Sequence, residues 1–433
     1  MPVVGEVDAL AFFESARAER FFWRGRGDRT LVGLGKTTRL TGRGPDRFKE
    51  ARAAWHELCR RMLIDGPEEI LLAQPVCFAG FAFDSGQHSD RWQDFPDGLI
   101  VLPQYVLNLE EHVSWLTVNV NIYPSSDPDA EVERVFAELR EILVDSPADD
   151  RSRRCWGGVS VEADASLFET TVARAVQEIR SGALRKVVMA REVTVRADGP
   201  IEPAVVLAGL LRDFPDCTAF AFQPGKDCFL GATPELLVRR RGRLAEVDCL
   251  AGSIRRGEDE TEDAWLAGVL AADAKEREEH DLVLTAVRDT LSPLCSIISS
   301  PDEPAVMKMS NVQHLYTPIV GELTRDTGVL VLADLLHPTP AVGGVPRDAS
   351  LERIRAHEPF DRGWYAGPIG WLDAREDGDF AVAIRSALIC GERAFLHAGC
   401  GIVAESDVQR ELAESVLKLQ PVLRILQGST SKP

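Results

Sequence analysis

The apolar stretches of this chain come in neighbouring pairs separated by tight turns, and that spacing limits the fold more than any other feature. "ELLVRRRGRLAEVDCLAG" (235–252) reads as two strands about a turn at Arg241-Gly242. Near the end, "AVAIRSALI", "CGERA" and "FLHAGCGIV" repeat the arrangement. Strands joined by a few residues must run antiparallel, because a parallel pair needs a crossover of about a dozen residues or more. An α+β chain is therefore predicted, with antiparallel sheets and helices outside them, in preference to a doubly wound fold.

The first 150 residues read as β-rich with some helix. "ILLAQPVCFAGFAF" (70–83) and "GLIVLPQYVLNL" (98–109) have the length and composition of buried strands, and "SWLTVNVNIY" (114–123) alternates like one. An amphipathic helix follows, with Asp127 as cap, Pro128 in its first position and a stripe of Val132, Val135, Phe136, Leu139 and Ile142. The polar run "VDSPADDRSRRCWGG" (144–158) is the best linker candidate, dividing an N-terminal portion, 1–150, from a second portion, 156–425. Beyond it the pattern predicts a helix over 163–181, a strand over 186–195, a helix over 202–213, and strands near 217–224 and 227–232. One long helix is expected from Thr261 to Leu291, stopped by Pro293, and another from Asp407.

Composition excludes several classes. The 433 residues carry a formal net charge of −19, which argues against nucleic acid or an anionic membrane as the main partner. A small anionic substrate is still compatible, because local basic residues can override the net charge. The N-terminus lacks the basic region and apolar core of a signal peptide, and no run of about 18 apolar residues suggests a membrane span. Nine cysteines without a C-x-x-C pair read as reduced thiols, and a cytoplasmic protein is expected. "GLGKTT" (33–38) imitates a phosphate loop, but the glycine required five residues before Gly35 is Thr30.

Two segments carry a sharper signal. "AKEREEHDLVLTAVRD" (274–289) sets Glu276 and Glu279 three apart on a helix, and "SDVQRELAESVLKL" (406–419) does the same with Glu411 and Glu414. Ser406 with Gln409 can form a capping box at the start of the second helix. Paired carboxylates repel, so an ordinary solvated face with helix-surface ion pairs competes with a shared cation. If the two helices face each other, up to four oxygen donors converge, as Mg²⁺ requires.

Other residues are weighed singly. Lys186 opens an otherwise apolar strand; buried, it can serve as a base, and at an edge it blocks aggregation. Glu235 follows the Gly–Pro kink of "GATP" and either works as an acid or starts a solvent-facing strand. His314, amid apolar residues, fits a core histidine better than a ligand. Arg385 is the single charge in a long predicted strand and must meet an anion. The loop "LLHPTPAVGGVP" (335–346) is rigid, and the glycines of "HAGCGIV" (397–403) allow a close backbone approach.

In order along the chain, "KVVMAREV", "FLGATPELLV", "LAGSIRRG", "EREEHDLV", "VQHLYTPIVGEL", "LHPTPAVGGVP", "YAGPIGWLD", "AVAIRSALI" and "HAGCGIVAESDVQRELAESVLKL" resemble the chorismate-utilising enzymes. The resemblance is dense over 160–420 and loose over 1–150. It implies sheets layered as a β-sandwich flanked by helices, with the N-terminal portion packed into the same unit. Four features point to the isochorismate synthase branch: Lys186 where ammonia-using members have glutamine, Ala251 where another branch has lysine, Ala341 where pyruvate-eliminating members have threonine, and no R-N-D-x-G-R run in "LVLTAVRDTL".

By resemblance, Lys186 is the base that activates water for attack at C2 of chorismate, and Glu235 the acid that protonates the departing C4 hydroxyl. Glu279 and Glu414 would bind Mg²⁺, with Glu276 and Glu411 assisting. Ser253, His314, Ala341, Arg385, Gly399 and Lys418 would contact chorismate and its product isochorismate. The resemblance thus implies a Mg²⁺-dependent isomerase serving menaquinone, siderophore or salicylate synthesis. It is expected to act as a monomer without a glutamine amidotransferase subunit. The rivals are a salicylate synthase, which adds pyruvate elimination, and a non-catalytic homologue.

Overall fold

The computed structural model describes residues 7–16, 19–27, 29–67, 73–85, 89–110, 113–144 and 156–428. Most of the linker candidate, 145–155, lies outside them. Two large sheets organise the chain, and every pairing among the described residues is antiparallel. The first sheet runs from Gly344–Val345 through Lys186–Ala197, Arg393–Ile402, Ser386–Cys390, Cys228–Thr233, Thr218–Gln223, Arg20–Arg24, Thr30–Leu34 and Tyr105–Glu110 to Val113–Val118. The second runs from Cys295–Ser299 through Val312–Leu323, Leu244–Arg255, Leu236–Arg241, Gly378–Val382, Pro368–Asp373, Val76–Phe81 and Gly98–Leu102 to Thr38–Gly42. Residues from the first 120 thus supply strands to both sheets.

The sheets face each other across an aromatic layer. Phe21, Trp23, Phe220, Phe222 and Phe229 from the first meet Phe78, Leu99, Val101 and Trp371 from the second. Phe21 stacks on Phe78 with ring centroids 5.4 Å apart. Burying such rings supplies much of the driving force for closing one sheet on the other. Helices cover the outer faces: Pro203–Asp213 and Val408–Leu426 pack on the first sheet, Arg47–Arg61 and Val329–Leu336 on the second. No helix among the described residues is long and apolar enough to cross a membrane.

Several local expectations need correction. "GLIVLPQYVLNL" is two strands, because Pro103 has no N–H for a ladder and the chain crosses there from one sheet to the other. "SWLTVNVNIY" stays extended in the sheet only to Val118. The expected long helix is two, Glu260–Ala272 and Ala274–Leu291. Asp273 divides them in an extended conformation, and its side chain accepts from the amides of Lys275 and Glu276. The last helix is capped by Asp407, which accepts from Gln409 and Arg410, while Ser406 turns back to the amide of Val403. Arg385 is not inside a strand: it sits between Gly378–Val382 and Ser386–Cys390, in the left-handed region at φ 53°. The chain changes sheets at that residue.

One buried ion pair ties these parts together. Glu358 Oε1 accepts from the amide of Ala190 at 2.7 Å, and both of its oxygens hold Arg362, at 2.5 and 2.7 Å. Arg362 also donates to the carbonyls of Val188 and Val342. The strand beginning at Lys186 is thereby strapped to the proline-rich loop. Breaking such a pair from one side leaves a buried unpaired charge, so Glu358→Ala is expected to cost about 3–5 kcal/mol. Urea unfolding at pH 7 measures it; a midpoint unchanged from wild type would contradict this reading.

Candidate functional site

The site forms where the chain passes between sheets. Glu235 follows Pro234 at the crossing from Cys228–Thr233 to Leu236–Arg241, and Arg385 marks the return crossing. A cavity there is lined by Glu235, Ser253, Glu279, His314, Ala341, Arg385, Gly399 and Lys418. These are eight of the twelve residues singled out from the sequence. Lys186, Glu276, Glu411 and Glu414 lie behind its wall. The lining residues Tyr365 and Arg362 were not singled out, although Tyr365 opens the quoted segment "YAGPIGWLD".

Glu235 is 5% exposed. Burial, reinforced by the charge of Asp248, pushes its carboxyl up to about 7, against the opposing pull of Lys186, Arg385 and Lys418. It therefore holds a proton over much of the neutral range. His314 is also buried, and desolvation beside Arg385 and Lys418 lowers its pKa to about 3, so the ring is neutral. Its Nε2 lies 3.5 Å from Arg385 Nη2, a donor, which assigns the proton to Nδ1. Nδ1 then donates to Ser253 Oγ at 2.9 Å.

A bulge in the Leu244–Arg255 strand makes this arrangement possible. The pairing with Val312–Leu323 skips one residue at Gly252, whose φ of +81° suits glycine. The skip aims the Ser253 amide at Glu276 Oε2, 2.9 Å away, and the Gly252 carbonyl at His314. Gly401 is constrained differently: a Cβ there would lie 2.3 Å from Glu279 Oε1 and 3.0 Å from Lys186 Cε. Only a hydrogen leaves room for those two side chains to meet.

The two acidic helices do face each other, and lysines hold them. Lys186 is 0% exposed, its Nζ 2.9 Å from Glu279 Oε1 but off the line of a hydrogen bond. Lys275 reaches Glu411 at 3.0 Å and Glu276 at 3.3 Å. Lys418 contacts Glu414 at 2.5 Å and donates to the Gly399 carbonyl at 3.0 Å. Lys275 was not anticipated; its one signal was its place beside Glu276. Burial acts to raise Glu279, but Lys186, Lys418 and Lys275 outweigh it and keep that carboxyl low. Glu276 is pushed up to about 7 by burial and by Glu279, and Glu411 is raised by burial and Glu414.

The donor set suits a hard divalent cation. Four carboxylates face three ammonium groups, two of the carboxyls are raised by burial and by a neighbouring carboxylate, and Glu411 Oε2 is buried without a hydrogen-bond partner among the described residues. Cys400 Sγ lies near Glu411 and Glu414, but burial raises the thiol well above its usual range and it donates to the Glu411 carbonyl. A protonated thiol is a poor ligand for such a cation, so the carboxylates are the better candidates to hold one.

The raised carboxyl of Glu235 has a consequence for stability. A carboxyl whose pKa is higher folded than unfolded stabilises fully below its unfolded value, and that contribution is lost as pH rises through about 7. Glu235→Gln is therefore expected to gain stability over wild type at pH 8.5 relative to pH 5, by at most about 3 kcal/mol. Thermal unfolding of both proteins at the two pH values tests this, and a difference independent of pH would remove the basis for the shift.

Comparison with known proteins shows the family. Residues 2–427 match the model of the family described as chorismate binding enzyme. The isochorismate synthase MenF of Bacillus subtilis is 36% identical, over 98% of this chain and 92% of the relative. The salicylate biosynthesis isochorismate synthase of Pseudomonas aeruginosa is 40% identical, over 90% of this chain and 81% of the relative. The solved structure of MenF, the menaquinone-specific isochorismate synthase from Escherichia coli, superposes with a TM-score of 0.81 at 28% identity, covering 99% of this chain and 94% of that one. Motif order, layered antiparallel sheets and near-complete coverage lead to one conclusion: the chain belongs to the chorismate binding enzyme family.

Proposed function

We propose that this protein is an isochorismate synthase, an isomerase that adds water at C2 of chorismate and releases the C4 hydroxyl as water, reversibly. The observation that carries the reading is Glu235, buried against the cavity with its carboxyl pushed up to about 7, so that it has a proton to give near neutrality. Lys186 takes the proton of the attacking water. As bond formation at C2 shifts the ring double bonds, Glu235 protonates the leaving oxygen at C4. Lys186 is covered by Glu279 in this arrangement, so that carboxylate must leave Nζ before the amine can act as a base.

Arg385, a buried cation, and Lys418, a partly buried one, would bind the carboxylates of the substrate, with neutral His314, Ser253 and the Gly399 backbone orienting them. Ala341 leaves the proline-rich wall without the hydroxyl found in pyruvate-eliminating relatives. The cavity holds about 50 Å³, so a ring of this size enters only as the Lys186–Glu279 and Lys418–Glu414 pairs rearrange. A magnesium ion held by Glu279 and Glu414, with Glu276 and Glu411 beside them, would supply positive charge to a substrate carboxylate. The eight described cysteines are all free, which supports a cytoplasmic enzyme. We read it as a monomer working without an amidotransferase subunit.

The test is product analysis. Protein mixed with chorismate and Mg²⁺, followed by chromatography, is expected to give isochorismate; salicylate with pyruvate as the main products would make it a salicylate synthase. Lys186→Ala is expected to slow turnover by about 10²–10⁴-fold while chorismate still binds. Turnover unchanged in that variant would refute the base. Chelation of divalent metal should stop the reaction, and full activity without metal would refute the proposed ligands.

A further inference from the structure

A second cavity lies beside the same strand. Alternation puts Arg191 on the face of Lys186–Ala197 shared with Val187 and Met189, over which the helix Ala165–Arg180 packs. The cavity there holds about 410 Å³ and is walled by Leu167, Phe168, Pro359 and Phe360. That volume lies within the usual range for small-molecule pockets, about 300–1,000 Å³.

Its polar groups are committed to the protein, with one exception. Asp164 caps its helix, accepting from Ser166. Asp361 accepts from the amides of Ser89 and Gly363. Glu192 holds Arg91 and His397, and the Thr171 hydroxyl donates to the Leu167 carbonyl. Arg191 is 8% exposed and makes no hydrogen bond or ion pair among the described residues; its Nε is wholly buried. That Nε has lost water without gaining a partner, which is unfavourable, and burial lowers the pKa of the side chain accordingly. Asp164 and Asp361 are bonded to amide and hydroxyl groups and Glu192 to Arg91 and His397, so among the described residues no carboxylate is paired with Arg191, and an added anion can take that place.

We propose that this cavity is a second ligand site, which takes a small monocarboxylate with an aromatic or alkyl body. The planar carboxylate matches the fork of Arg191, and the body lies against Leu167, Phe168, Pro359 and Phe360. The site is separate from the one built on Arg385. The two are joined by rings: Phe360 is 5.4 Å from His397, and His397 stacks at 4.9 Å on Tyr365, which lines the first cavity. The proposal rests on this geometry and holds whichever reaction the first cavity performs.

Calorimetric titration with benzoate tests it. Benzoate is expected to bind wild type and Arg385→Met alike. Binding should weaken at least tenfold in Arg191→Met, and equally in Leu167→Trp, which fills the cavity from its rim and leaves the guanidinium in place. Absence of binding to wild type, binding that survives Arg191→Met, or binding lost in Arg385→Met would each overturn the proposal. Thermal unfolding separates a ligand site from a structural cation. Because no ion pair is removed, the Tm of Arg191→Met should equal or exceed that of wild type; a fall of several degrees would mean that the guanidinium holds the fold.

Discussion

Four carboxylates, largely withdrawn from water and brought to one place, repel one another, and the approach of two helices, one packed on each sheet, depends on the three ammonium groups that oppose them. Glu276 and Glu279 on Ala274–Leu291 face Glu411 and Glu414 on Val408–Leu426. Lys275 spans the gap between the helices, Lys418 steadies its own helix, and Lys186 reaches in from the strand. Burial, with the charge of the neighbouring carboxylates added to it, keeps Glu276 and Glu411 raised. Such a cluster is held by the fold, and its oxygen donors are of the kind that a hard divalent cation would take.

The corners of the sandwich position everything else. A strand fixes its side chains on alternate faces, so it cannot readily aim neighbouring groups into one space. A crossing between sheets can, and Glu235 and Arg385 both stand at crossings. The strain of Arg385 at φ 53° is borne by the buried sheets on either side. The bulge at Gly252 works in the same way within a strand, turning the Ser253 amide to one helix and the Gly252 carbonyl to His314.

Much of the fold was legible because its rules are local. The hairpin about Gly242, the helices Ala165–Arg180 and Pro203–Asp213, and the strand from Lys186 follow from periodicity and turn chemistry. Errors fell where a local signal had two solutions. Pro103 and Arg385 each sit inside an apolar run that reads as one strand, and only the competition between two sheets for the chain divides it. Asp273 was overlooked inside a helical pattern, although an Asp ahead of Lys275 and Glu276 is a good cap. Choosing Ser406 over Asp407 is a one-residue error between two residues able to cap.

What the sequence by itself determined is the pairing of carboxylates on each helix face, since E-x-x-E spacing and a 3.6-residue turn leave no other outcome. It also determined the hairpins, and through them antiparallel sheets. Only the tertiary structure decided what stands opposite those carboxylates. Lys275 meets Glu411 across 136 residues of chain, and Lys186 meets Glu279 from a strand far upstream. Helical periodicity is a property of neighbouring residues, whereas a buried counter-charge is chosen by how sheets and helices close over one another. Lys186, which the sequence alone would allow at a sheet edge, is for that reason found buried beside a carboxylate.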